Sequence, residues 1–72
     1  MNKLKLKSFM ALHGDTLEKL SKQLGITPQR LSAKINEYKG AEFTQSEIGV
    51  IKKRYDLSAE EIEEIFFGQK VS

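Results

Sequence analysis

Seventy-two residues make one domain, and a chain of this length buries only about 60% of its unfolded surface, so its core must be small. With no cysteine, neither a disulfide nor a thiolate metal site can staple it, which fits a reducing cytoplasm. The net charge of +2 hides an asymmetry: residues 1–40 carry eight Lys/Arg against three Asp/Glu, a net +5, and residues 41–72 carry four against seven, a net −3. No apolar run approaches the roughly 18 residues that span a bilayer. The basic start, MNKLKLKSF, has no apolar stretch behind it and does not read as a secretory signal.

The pattern predicts five helices and no strand. The first runs from about Lys3 to Leu12, with Leu6, Phe9 and Met10 on its buried side; Gly14 ends it and His13 lies in its last turn, where a cation suits the helix dipole. The second runs from about Leu17 to Leu24 behind the cap Thr16, with Leu17, Leu20 and Leu24 at helical spacing. Gly25 follows, where a helix end needs a residue tolerant of positive φ. Thr27 then offers a hydroxyl cap, and Pro28 opens a third helix that carries Leu31 and Ile35 and reaches about Tyr38.

Lys39 to Glu42 reads as a loop. Thr44-Gln45-Ser46-Glu47 has the spacing of a capping box, with Phe43 at the staple position. The fourth helix it opens carries Ile48, Ile51 and Tyr55 on one face, and Gly49 within it suggests a close helix contact. Ser58-Ala59-Glu60-Glu61 repeats the capping box. The fifth helix carries Ile62, Ile65 and Phe66 and ends at Gly68, leaving residues 69–72 as a loose tail. The expected core is Leu6, Phe9, Leu17, Leu20, Leu24, Ile26, Leu31, Ile35, Phe43, Ile48, Ile51, Tyr55, Leu57, Ile62, Ile65 and Phe66. The expected fold is all-α, a compact five-helix bundle.

The pair of helices around Gly25 has the layout of a helix-turn-helix, about residues 16–36, which presents the first turns of its second helix to a partner, usually the DNA major groove. It lies in the positive half of the chain, as a phosphate-facing surface requires. Nothing points to an enzyme or to a resident cofactor or metal. There is no nucleophile–base pair, no Cys, a single His and no glycine-rich phosphate loop, and so small a bundle has little room for a substrate pocket. Asp15 and Asp56 sit at helix boundaries, where turn or cap chemistry accounts for them. Lys52, Lys53 and Arg54 read as solvent-facing, and Glu60, Glu61, Glu63 and Glu64 as a solvated face that also suits a helix N-terminus. Phe66 and Phe67 are adjacent and cannot both enter one small core, so one of them is expected at the surface.

LSKQLGITPQRLSAKIN resembles the helix-turn-helix of the lambda Cro and repressor type: the turn glycine at Gly25, apolar Ile26, packing positions Leu20, Leu24 and Leu31, and small Ser21 where that family usually has alanine. The segment that follows, with its K-I-N run, E-F-T-Q-S-E-I stretch and closing L-S-A-E-E-I-E-E-I-F-F, resembles small regulators from temperate phages of Gram-positive bacteria. The likeness implies a lambda repressor-like domain acting in the bacterial cytoplasm on a lytic/lysogenic switch. Its recognition helix would present Pro28, Gln29, Arg30, Ser32 and Ala33, with Gln29 suited to adenine, Arg30 to guanine, Ser32 to an acceptor or donor and Ala33 to a thymine methyl. Thr16, Thr27, Lys34 and Asn36 would contact phosphates. Leu17 stands where the family often carries glutamine, and Pro28 where it often has a base-reading side chain.

Two partners are therefore in view: operator DNA, bound by this protein as a Cro-type regulator and possible homodimer, or a cognate CI-type repressor, bound by it as a modulator of repression with little DNA binding of its own. In the second case the same exposed helix would cover the repressor's DNA-binding face. The modest basic surface, the acidic fifth helix and the surplus phenylalanine motivate that alternative.

Overall fold

A computed structural model describes residues 1–68, and these are all-helical. Helix α1 spans Lys3–Leu12, α2 Leu17–Leu24, α3 Pro28–Ile35, α4 Gln45–Arg54 and α5 Ala59–Ile62. A short 3₁₀ turn, Tyr38–Gly40, separates α3 from α4, and α5 runs on as a π-helical turn over Glu63–Phe67. The expected tail at 69–72 lies outside the described residues.

Side-chain caps start every α-helix. The side-chain oxygens of Asn2, Thr16, Thr27, Thr44 and Ser58 each accept a backbone N–H three residues into the chain that follows. Thr44 with Glu47, and Ser58 with Glu61, complete the reciprocal pair expected of a capping box. Three helices end alike, in a left-handed residue followed by a backbone bond reaching five residues back. Gly14 (φ 69°) precedes Asp15 N–H to Met10 O, Gly25 (φ 73°) precedes Ile26 N–H to Ser21 O, and Asp56 (φ 52°) precedes Leu57 N–H to Lys52 O. Asp56 therefore does serve turn chemistry.

Three expectations about the elements are corrected. The third helix stops at Ile35 rather than Tyr38: Asn36 Nδ2 donates back to the Ser32 carbonyl at 3.0 Å, and Glu37 (φ 53°) and Lys39 (φ 51°) turn left-handed, which no helix sustains. The fifth helix is α only for its first turn and then widens to the π register. Gly49 has open space where its Cβ would be, so no helix contact among the described residues explains it.

The core is made by Leu6, Met10, Leu20, Leu31, Ile35, Ile51, Tyr55, Leu57, Ile62 and Ile65, contributed by all five helices. Phe9, Leu24, Ile26, Phe43, Ile48 and Phe66 pack on it half-buried. Leu17, expected inside, is 38% exposed. It is the first residue of α2 and lines a surface groove there rather than the core. Ser21 is buried with its hydroxyl donating to the Glu18 carbonyl, so a small residue sits where α2 and α3 pack together. The N-terminus is tied in: Asn2 N–H donates to Ile65 O at 2.7 Å, and the terminal amine of Met1 meets Glu37 at 3.3 Å.

Candidate functional site

The turn Gly25-Ile26-Thr27 holds α3 against α2 through Leu20, Ser21 and Leu31, and this packing decides which α3 side chains reach solvent. Gln29 and Arg30, in the first turn of the helix, are exposed. Pro28, Ser32 and Ala33 are half-buried. Thr16 and Thr27 are exposed, each with its Oγ1 accepting a backbone N–H, from Lys19 at 3.2 Å and Arg30 at 3.1 Å. The hydroxyl proton of each remains available to an outside acceptor.

Lys34 corrects the sequence reading. It does not face phosphates: it is buried, and its ammonium lies 2.7 and 2.9 Å from the two carboxylate oxygens of Glu47. Burial pushes the Glu47 carboxyl up, but the Lys34 ammonium and the Thr44 backbone N–H outweigh it and hold the pKa below the usual range. The pair locks α3 to the start of α4. Asn36 is exposed but engaged. Its amide donates to Ser32, and its Oδ1 accepts from Lys3 Nζ at 3.0 Å. Of the nine residues assigned to base or phosphate contact, Gln29 and Arg30 alone are exposed with no side-chain bond among the described residues.

A groove opens beside this face, between the second half of α1, the start of α2 and the end of α3. It holds about 280 Å³ and is lined by Lys7, Met10, Ala11, Asp15, Thr16, Leu17, Ser32, Ile35 and Asn36. Asp15 is not the simple turn residue expected. Arg54 clasps it with two bonds of 2.7 Å, and the Tyr55 hydroxyl donates to it at 2.6 Å. Arg54 above all, and then Tyr55, lower its pKa from 3.8 to about 2 against the effect of burial. Burial first, and Asp15 second, push the Tyr55 phenol up. His13 lies against the Tyr55 ring, with centroids 4.9 Å apart. Arg54 is thus committed within the chain, while Lys52 and Lys53 are exposed as expected.

A second surface lies where α4 and the π turn come together. Phe43 and Phe66 meet edge to face, with centroids 5.3 Å apart. Phe67 is 49% exposed beside them. A cleft of about 250 Å³ is lined by Met1, Lys34, Glu37, Ala41, Glu42, Phe43, Ile48, Phe66 and Phe67. The adjacent duplication Phe66-Phe67 announced one exposed ring. Nothing in the spacing announced that Phe43 would stand beside it.

No family model, curated protein or solved structure matches this chain.

Proposed function

We propose that this protein is a regulator of a phage-type lytic/lysogenic switch that acts by binding a cognate CI-type repressor, in the manner of a modulator of repression. The observation that carries this reading is the aromatic cleft on the acidic half of the chain, with Phe67 half out of the core. Exposed rings of this kind are costly to leave in water and are the usual anchors of protein interfaces. Exposed Glu37 and Glu42 line the cleft, and α5 and the π turn that carries Phe67 add the exposed carboxylates Glu60 and Glu63. A repressor's DNA-binding face is basic because it must neutralise phosphates, so it complements this surface in charge. The motif resemblance supports the assignment to a phage switch, and the partner would place the protein in the bacterial cytoplasm. No catalytic step is part of this reading.

Direct operator binding is the second reading, favoured by the exposure of Gln29 and Arg30. It is weakened by the loss of Lys34 to Glu47, the engagement of Asn36 and the apolar Leu17 at the start of α2. A mobility-shift experiment separates the two. With operator DNA, this protein alone is expected to give no shift and, added to the repressor, to reduce the repressor's shift. A sequence-specific shift by this protein alone, lost in the double variant Gln29→Ala/Arg30→Ala and with repressor binding unaffected, would replace the first reading by the second.

A further inference from the structure

The groove between α1, α2 and α3 is independent of the aromatic cleft, and its lining does not suit a phosphate backbone. Its floor is apolar: Met10, Ala11 and Ile35, with Leu17 standing half out of it. The charge around it has one sign. Lys3 and Lys7 stand one turn apart on α1. Lys7 lines the groove, and Lys3 reaches across its end to Asn36. The one carboxylate in the lining, Asp15, is spent on Arg54 and Tyr55.

We infer that this groove binds an acidic amphipathic helix of a protein partner. Apolar side chains at i, i+3 or i+4, and i+7 of that helix would cover Ala11 and Leu17, and carboxylates on its flank would meet Lys3 and Lys7. Charge complementarity selects this occupant. A basic helix would face two ammonium groups with no free carboxylate in the groove. A DNA strand could use the lysines but would leave Leu17 against a phosphodiester, with neither hydrogen bond nor apolar contact. The assignment does not depend on which protein covers the Phe67 cleft.

The test is a titration of the ¹⁵N-labelled full chain with two synthetic helical peptides that share one leucine spacing, one flanked by glutamates and the other by lysines, and with a DNA duplex. The acidic peptide is expected to shift the amides of Lys7, Ala11, Leu17 and Asn36. Leu17→Gln and, separately, Lys7→Glu are expected to weaken it at least tenfold, whereas Phe67→Ala leaves it unchanged. Both groove residues are solvent-exposed, and circular dichroism checks that each variant keeps its helices. If Leu17→Gln does not fold, Lys7→Glu carries the test alone. The inference is overturned if the acidic peptide leaves these amides unmoved, if the lysine peptide binds as well, if a folded groove variant binds as tightly as the parent, or if the duplex moves the same amides at lower concentration. None of these outcomes bears on binding at the Phe67 cleft.

Discussion

Asp15 joins two stretches of chain through one carboxylate: the α1–α2 turn that carries it and the end of α4, where Arg54 is exposed and Tyr55 is in the core. Its charge therefore matters to stability. The pKa is lowered in the folded state, so the stabilisation is present above the unfolded value near 3.8 and is lost as pH falls through about 2. The span between those values corresponds to roughly 2 kcal/mol. Acid unfolding monitored by circular dichroism is expected to show a drop in stability of about that size between pH 4 and pH 2, and Asp15→Asn is expected to remove most of this dependence while lowering stability at neutral pH. An unchanged acid profile in Asp15→Asn would show that other carboxylates, such as Glu47, govern it. Gly49 gives a prediction of opposite sign. Its Cβ position is open and its backbone is helical, so Gly49→Ala is expected to stabilise the fold by about 1 kcal/mol, raising the melting midpoint by about 5 °C. The glycine could be recognised in the sequence as a weak point, but whether anything packed against it could not, because that depends on which helices face α4.

Helix α3 shows what periodicity reads well and where it stops. The caps, the turn glycine and the apolar pair Leu31 and Ile35 were legible because each is a local rule about neighbouring residues, and the helix starts followed from them. The fate of Lys34 was not legible, although its place three residues after Leu31 and one before Ile35 put it on the buried side. A lysine there is tolerable only if a carboxylate waits for it, and Glu47 arrives from another element, where it also closes the capping box. The widening of α5 to the π register was likewise not announced by the spacing of Ile62, Ile65 and Phe66. The ion pair can be tested as a pair. Lys34→Ala would leave the Glu47 carboxylate buried without its cation and is expected to cost about 3 kcal/mol. Lys34→Met with Glu47→Leu is expected to be far milder, at about 1 kcal/mol net of the lost capping-box contact. Urea unfolding of the single and double variants measures both. Equal losses in the two would mean that Lys34 acts through its aliphatic stem rather than through its charge.

Across the whole molecule, the basic half carries the α2–α3 corner and the groove, and the acidic half carries the aromatic cleft. The two halves meet in a few ion pairs, such as Lys5 with Glu64 at 2.6 Å, which is exposed and contributes little to stability. This division makes the proposed repressor complex sensitive to two separable changes. Removing the anchor by Phe67→Ala deletes apolar contact without adding charge, and it is expected to cost about 2 kcal/mol of binding, roughly thirty-fold in affinity, mainly through faster dissociation. Glu60→Gln with Glu63→Gln keeps the ring and removes two exposed charges. It is expected to slow association severalfold and flatten the salt dependence, while dissociation changes little. Surface plasmon resonance against the immobilised repressor at low and high salt distinguishes the two. Because Phe67 is half exposed and both glutamates are exposed, the melting midpoints of the variants should stay close to that of the parent. If Phe67→Ala binds the repressor as tightly as the parent does, the cleft is not the contact, and the exposed face of α3 with Gln29 and Arg30 becomes the surface to examine. If the glutamate variant loses affinity through dissociation instead, those carboxylates form desolvated pairs with the repressor's cations and lie inside the interface rather than at its rim.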